Sequence, residues 1–251
     1  MRMGGDRHVA AWAARQRAKA LHVGTYEAAI SSMDVALSGA DWLNAGNRFA
    51  FSLCRPPGHH AFKDLAGGFC YLNNAAIAAQ ALRCTVPRVA ILDIDVHHGN
   101  GTQGVFYDRA DVLTVSLHAD PTRFYPFFWG HADERGEGAG LGYNFNLPLV
   151  RKTRDEGFLA ALDRALARIA AFCPGALVIA LGLDAYEGDP FAGLSVSTPG
   201  FRRIGGKIGE LDLPTVLVQE GGYVCEGLGG NLIAFLDGFR ASHRVAEGAL
   251  A

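Results

Sequence analysis

Five short runs of largely apolar residues recur along the chain, and they do not alternate regularly with polar positions. The runs are residues 50–53, 89–92, 112–117, 177–181 and 215–218. Continuous runs of this length are typical of strands that are buried on both faces of a parallel sheet. We therefore predict a strand in each run.

Amphipathic helical patterns lie between these runs. The pattern in residues 155–171 is the longest, and Thr153 with Glu156 predicts a capping box at its start. Residues 73–84 are rich in alanine, which is the strongest helix former. A further apolar stripe is formed by Tyr26, Ile30, Met33 and Leu37.

Another helix is predicted to begin with Thr198 as its N-cap and Pro199 as its first residue. Strands that alternate with helices indicate an α/β fold in which helices flank a doubly wound, mostly parallel sheet. No repeat, low-complexity segment or Pro/Ser-rich linker interrupts the sequence. We therefore predict a single domain over residues 1–251.

Charge and composition exclude several classes of partner. The chain has 23 basic and 25 acidic side chains and a net charge of −2, so we expect no nucleic-acid or membrane-surface binding. Its apolar runs are shorter than a membrane span, and residues 1–20 lack the apolar core of a secretory signal. We expect a cytoplasmic protein that acts on a small molecule.

Polar residues follow the ends of the predicted strands, the edge at which parallel sheets bind ligands. Asp93, Asp95 and His97 are two positions apart and would share one side of an extended segment. Asp95 and His97 could bind one ion, with Asp184 from another strand end as the third ligand of a catalytic metal. The oxygen-rich set suits zinc, and iron, cobalt or manganese are chemically possible. A lone Asp would more often be a helix cap or a surface charge.

His59 and His60 are adjacent, so we expect their side chains to diverge and to serve proton transfer rather than joint metal binding. Asp93 and Asn100 are candidates to orient the two rings through their other nitrogens. Tyr223 follows two glycines and could donate a hydrogen bond to an oxyanion.

Six segments of the chain resemble the histone deacetylase and acetylpolyamine amidohydrolase superfamily. They are RPPGHHA (55–61), GGFCYLNNAAIA (67–78), DIDVHHGNGTQ (93–103), VSLHADP (115–121), GLDAYEGDP (182–190) and QEGGY (219–223). The segments occur in the order of the family, and the combination of the first with the third is highly specific. Residues 124–149 most resemble the bacterial acetylpolyamine amidohydrolase branch.

The resemblance implies an arginase/deacetylase-like fold and a zinc-dependent amidohydrolase that removes acetyl groups from N-acetylated amines. It implies zinc ligands at Asp95, His97 and Asp184. It implies catalytic roles for His59, His60 and Tyr223, with Asp93 as partner of His59 and Asn100 where many members have Asp. It implies that Gly68, Phe69 and Tyr125 line the substrate tunnel. It implies a structural potassium ion bound by Asp93, Asp95, His97, Ser116 and Leu117.

Members of the superfamily carry a much longer segment before the part that resembles residues 26–53. The chain is therefore predicted to be N-terminally short, with an exposed sheet edge that favours a homo-oligomer. Small acetylated amines, including acetylpolyamines, are the favoured substrates, because nearby acids would attract cations if they face the entrance. These acids are Asp133, Glu134, Glu137, Glu187 and Asp189.

Three alternatives stay open at this point. The first is a protein acetyl-lysine deacetylase. The second is a catalytically weak homologue that binds an acyl ligand or a metal. The third is a two-metal, arginase-like hydrolase, since Asp93, Asp95, His97 and Asp184 could share two ions.

Overall fold

Six parallel strands form the centre of the molecule in the computed structural model, which describes residues 22–243. They are β1 (Phe49–Ser52), β2 (Val89–Asp93), β3 (Val112–Ala119), β4 (Asn144–Leu149), β5 (Ala176–Leu181) and β6 (Thr215–Gln219). Their order across the sheet is β1-β6-β5-β2-β3-β4, and every neighbouring pair is parallel. The predicted doubly wound α/β fold is confirmed.

The edge strand β4 is the strand that the apolar runs did not predict. Its sequence carries Asn144, Asn146 and Pro148, and it pairs with β3 alone. The Asn144 side chain binds Thr114 and Gln103 instead of packing in an apolar layer. Proline is tolerated at an edge, where no neighbouring strand needs its missing N–H. An edge strand of this composition lacks a continuous apolar run.

Six helices cover the two faces of the sheet in the described part of the chain. They are α1 (Thr25–Asn44), α2 (Asn74–Leu82), α3 (Asn100–Phe106), α4 (Asp155–Phe172), α5 (Thr198–Gly209) and α6 (Leu228–Ser242). One face carries α1, α2 and α3 with an alanine-rich core, and the other carries α4, α5 and α6 with large Phe, Leu and Ile side chains. Successive strand residues such as Ala90 and Ile91 belong to opposite cores, as strand geometry requires.

The buried face of α1 differs from its predicted stripe. Tyr26 is 74% exposed, whereas Ala29, Ala36 and Gly39 are buried. A side chain at Gly39 would collide with Ser52 of β1, so this face needs small residues. The helix was predicted correctly, but small residues form its most deeply buried side, and Ile30, Met33 and Leu37 are only half-buried.

Two predicted helix caps are wrong, although the helix predicted to start at Asp155 does start there. Thr153 donates its hydroxyl to the Val150 carbonyl at 2.6 Å, and Glu156 pairs with Arg203, so neither forms the capping box of α4. The N-cap of α5 is Ser197 rather than Thr198. Helix ends depend on local hydroxyl partners that apolar periodicity does not report.

Residues 1–21 and 244–251 lie outside the described part, so the single domain over 1–251 stays a prediction, as does the short N-terminus. None of the described helices is long and apolar enough to cross a membrane.

Candidate active site

The carboxyl ends of β2 and β5 bring three buried donors together. Donor atoms of Asp95, His97 and Asp184 all lie within 4.8 Å of one another. His97 Nδ1 is 3.0 Å from Asp95 Oδ1 and 3.2 Å from Asp184 Oδ2. The backbone amide of His97 also donates to Asp95 Oδ1 at 2.9 Å, which holds the segment after β2 in place. The three residues chosen from the sequence as metal ligands thus form one cluster.

Backbone amides orient the two carboxylates of this cluster. Gly221 N donates to Asp95 Oδ2 at 2.8 Å, and Val96 N donates to Asp184 Oδ1 at 2.9 Å. A side chain at Gly182 would collide with the Asp95 carboxylate, and one at Gly221 would collide with both carboxylates. Glycine is needed at these strand ends because the backbone closes directly on the acidic oxygens.

The electrostatics of the cluster suit a cation. Asp184 Oδ2 is buried, and beyond its 3.2 Å contact with His97 Nδ1 it has no hydrogen-bond partner among the described residues. Burial and the charge of Asp95 raise the pKa of Asp184 to about 7. Burial opposes the charge on His97, yet the carboxylates of Asp184 and Asp95 raise its pKa to about 9. Two carboxylates and an imidazole nitrogen within 4.8 Å of one another fit a divalent metal ion.

The tandem histidines lie beside this cluster, each with its own partner. His59 Nδ1 is 2.8 Å from Asp93 Oδ2, and His60 Nδ1 is 2.7 Å from Asn100 Oδ1. Both rings are buried, and their centroids are 4.0 Å apart. The expected divergence of the two side chains is therefore wrong, because residues 59–60 form a turn, where the alternation of an extended strand does not hold.

The two imidazoles differ in charge. Burial alone would lower the pKa of His59, but the charges of Asp93 and Asp95 raise it well above its usual value. Burial and the neighbouring His59 and His97 lower the pKa of His60 well below its usual value. The pair thus contains one ring that favours the imidazolium and one that stays neutral.

A cavity of about 370 Å³ touches the donor cluster at one residue, and His60 and Tyr223 also line it. The Tyr223 ring packs against Phe191 at 4.4 Å, and its amide donates to Asp189 Oδ2 at 3.2 Å. Burial, then the charges of Asp95 and Asp184, raise the pKa of Tyr223 far above its usual value, so its hydroxyl keeps its proton. The remaining lining residues are Gly68, Phe69, His97, Arg123, Phe124, Tyr125, Phe127 and Phe191.

The predicted tunnel residues occupy this cavity at different depths. Tyr125 packs its ring 4.8 Å from His60, whereas Phe69 is 57% exposed. Sequence analysis missed Phe124, which stacks on His97 at 5.0 Å, and Phe191. The sequence contained a signal for Phe191: it lies seven positions after Asp184, in the loop that follows β5. Loops at the carboxyl ends of parallel strands line the ligand site.

The five acids expected at the entrance do not line the cavity. Asp189 is buried and accepts the amides of Phe191 and Tyr223, while Glu134 binds Gln103 and the Gly130 amide. Both carboxylates thus accept hydrogen bonds that position loops. Among the described residues that line the cavity, Arg123 has the one charged side chain apart from histidine.

The residues proposed for potassium lie along β2, β3 and the segment after β2. Ser116 pairs in register with Asp93, and its Oγ lies 2.8 Å from His118 Nδ1. Leu117 is fully buried. The potassium site stays a prediction.

Known proteins resemble the chain over most of its length. The histone deacetylase domain matches residues 4–238. An acetylpolyamine amidohydrolase of Burkholderia pseudomallei is 54% identical over 217 residues, which cover 86% of this chain and 64% of that protein. Acetylpolyamine amidohydrolase 2 of Pseudomonas aeruginosa is 51% identical over 222 residues, or 88% of this chain and 64% of that protein.

Solved structures agree with the sequence matches. The crystal structure of an acetylpolyamine aminohydrolase from Burkholderia pseudomallei matches with a TM-score of 0.84 and 54% identity over 85% of this chain and 62% of that one. The chain thus spans less than two thirds of the length of these relatives. The resemblance seen in the six sequence segments is confirmed, and the chain belongs to the histone deacetylase family.

Proposed function

We propose that the protein is a metal-dependent amidohydrolase that releases acetate from small N-acetylated amines, with acetylpolyamines as the favoured class. One observation carries the proposal: Asp95, His97 and Asp184 form one donor cluster, and its His97 lines a cavity that His60 and Tyr223 also line. The names of the relatives point to the same substrates, and the activity of the whole protein is inferred from them.

The donors Asp95, His97 and Asp184 would hold a zinc-type ion. When bound, such an ion supplies Lewis-acid chemistry by polarising an acyl carbonyl and lowering the pKa of water. The aromatic walls of the cavity, Tyr125 and Phe191, bind the alkyl part of the amine and limit the access of bulk water.

His60 is the proposed proton carrier. It lines the cavity, and Asn100 Oδ1 accepts the hydrogen on its Nδ1, so Nε2 is left to take a proton from the attacking water. Its lowered pKa keeps the ring neutral before that step. The same Nε2 then returns the proton to the leaving amine. His59 is held by Asp93, whose carboxylate favours the protonated form of the ring and fixes it beside His60.

Tyr223 is the proposed donor to the acyl oxygen as that oxygen gains negative charge. Its hydroxyl remains protonated because burial and the neighbouring carboxylates disfavour a phenolate. Asp189 fixes the Tyr223 backbone, and Phe191 packs on its ring, so the donor is positioned before substrate arrives.

An acetyl-lysine side chain in a peptide is the second candidate substrate. Arg123 lines the cavity and none of the five candidate acids does, which weakens the expected attraction of a polyamine cation. The acetyl-lysine of a peptide carries no charge of its own beside the acetyl group, so Arg123 would not repel it.

Zinc as the bound ion, a structural potassium ion, a homo-oligomer and a cytoplasmic location are proposals carried over from the sequence. The donor set supports the first of these.

The test is acetate release by metal-reconstituted protein from acetylputrescine, acetylspermidine, an acetyl-lysine peptide and a simple acetamide. We expect the highest kcat/KM for an acetylpolyamine and no release by the Asp184→Ala variant. A clear preference for the peptide at every salt concentration would promote the second candidate. No acetate from any of the four substrates would refute the amidohydrolase proposal.

A further inference from the structure

Glu220 follows β6 directly, and its carboxylate lies against the loop that carries the tandem histidines. Oε2 accepts the backbone N–H of Gly58 at 2.6 Å and that of His59 at 3.0 Å. The residue is 6% exposed, and Oε1 has no hydrogen-bond partner among the described residues. Burying a carboxylate costs free energy of folding unless hydrogen bonds stabilise it, and these two backbone amides supply such bonds.

The same chain segment reaches the rest of the site. Immediately after Glu220, the Gly221 amide donates to Asp95 Oδ2, and two positions further Tyr223 enters the cavity. Glu220 therefore connects the segment that carries Tyr223 to the loop that carries His59 and His60. The two segments are 162 residues apart in sequence, and this carboxylate joins them through two hydrogen bonds.

A second metal site is the competing explanation, because donor atoms of His59, Cys70 and Glu220 lie within 4.8 Å of one another. Both imidazole nitrogens of His59 already face carboxylates, however. Nδ1 is 2.8 Å from Asp93, and Nε2 is 3.8 Å from Asp95 Oδ1. The Cys70 thiol contacts the Gly68 carbonyl at 3.5 Å. The geometry favours a carboxylate that binds backbone amides over one that binds an ion.

We infer that Glu220 is a positioning residue that holds the His59–His60 turn in register with the metal donors and with Tyr223. The inference rests on the proposed function for its effect on rate, and on the two hydrogen bonds for its geometry. Without these bonds the Gly58 and His59 amides would be buried and unpaired, so the turn would move to satisfy them. A displacement of about 1 Å in a proton-transferring group lowers turnover by about 100-fold.

Three variants of Glu220 distinguish the contributions of its acceptor oxygen, its negative charge and its side-chain length. Glu220→Gln keeps a carbonyl oxygen at the same distance, Glu220→Asp keeps the charge but shortens the reach, and Glu220→Ala removes both. We expect kcat for acetate release to fall about 100-fold in the Ala and Asp variants and less than about 3-fold in the Gln variant. KM should stay within about 2-fold in all three, because Glu220 does not line the cavity.

The matched control is Asp155→Ala. Asp155 also accepts a backbone amide from a distant segment, that of Ser197 at 2.8 Å, but it does so at the start of α4. Its removal should lower stability while leaving kcat unchanged. If Glu220→Gln loses as much turnover as Glu220→Ala, or if Glu220→Asp keeps full turnover, the positioning role is wrong. These two variants decide the matter even if the Ala variant does not fold.

An NMR measurement tests the geometry without any substrate. The His59 Nδ1–H that faces Asp93 should give a far-downfield proton resonance, identified by its loss in His59→Ala. We expect the resonance to persist in Glu220→Gln and to shift or vanish in Glu220→Asp. An unchanged resonance in Glu220→Asp would overturn the inference even if the protein proves inactive on acetylated amines. Loss of a second equivalent of bound zinc in Glu220→Gln would instead support the metal site and overturn the positioning role.

Discussion

The metal donors and the proton-transfer groups meet in one site, but they are held in different ways. The Asp95 and Asp184 carboxylates are oriented by backbone amides that belong to the ends of the central strands. The His59 and His60 rings are each oriented by one side chain, that of Asp93 at the end of β2 and that of Asn100 at the start of α3. The metal donors are oriented by backbone groups, which depend on the fold rather than on any one side chain. Each histidine ring depends on the identity of one side-chain partner. Substitutions should therefore abolish the function of the first group and tune that of the second.

The largest effect is expected from the donor side. Asp184→Ala should lose the bound metal and reduce acetate release to background, because it removes a carboxylate from a three-donor cluster. Asp184→Asn is the matched variant, since its amide oxygen can still accept the Val96 N–H and keep the loop folded. Metal content measured by atomic emission checks both variants. Full metal occupancy in Asp184→Ala would remove Asp184 from the donor set.

Next in size is the loss of the Tyr223 hydroxyl. Tyr223→Phe should lower kcat about 100-fold, roughly 3 kcal/mol, as expected when one donor to an oxyanion is removed. Metal content should not change. Tyr125→Phe, which removes a hydroxyl from the wall of the same cavity, is the control and should cost much less. Equal losses in the two variants would show that Tyr223 has no special role.

A smaller effect should follow from changing the partner of His60. In Asn100→Asp a negative charge would replace the neutral amide that lies 2.7 Å from Nδ1, and it would favour the imidazolium. The pKa of His60 should rise, so the neutral ring needed to accept a proton would exist only at higher pH. The acidic limb of the kcat profile should move upward by about one pH unit. An unmoved limb would mean that His60 does not set it.

The smallest effect concerns stability. Burial raises the pKa of Glu220 to about 7, so the folded state binds a proton between its unfolded pKa near 4.5 and pH 7 that the unfolded state has released. The wild type should lose stability from this group as pH rises through that range. Glu220→Gln cannot titrate, so its unfolding free energy relative to the wild type should increase from pH 5 to pH 8. Urea unfolding at several pH values measures this, and a pH-independent difference would contradict it.

The parts of the fold that sequence predicted well are those in which one periodicity decides the structure. Buried strands such as β2 and β5 are continuous apolar runs, and the residues after them mark the functional edge. The spacing of polar residues also predicted the partners of both histidines, because Asp93 and Asn100 lie at the end of β2 and just after it, at the functional edge of the sheet. These features depend on local order along the chain.

The features that were missed depend on neighbours distant in sequence. The β4 strand carries asparagines because their partners, Thr114 and Gln103, come from β3 and α3. Asp189 was expected among the entrance acids, because the sequence does not show that the Tyr223 amide, 34 positions away, binds its carboxylate. The position of Glu220 beneath the histidine turn depends on β6 and β1 being adjacent, which the sequence does not state.

Gly221 has a consequence for any mutational survey of this protein. It has no side chain, yet its amide binds one donor carboxylate and an added methyl group would collide with two. In a saturation library it should tolerate no replacement at all, although the residue cannot take part in chemistry. Asp184 should be equally intolerant, but there because its side chain supplies a donor to the proposed metal ion. Intolerance at these two positions thus has two origins, and only metal binding by the few folded variants would tell them apart.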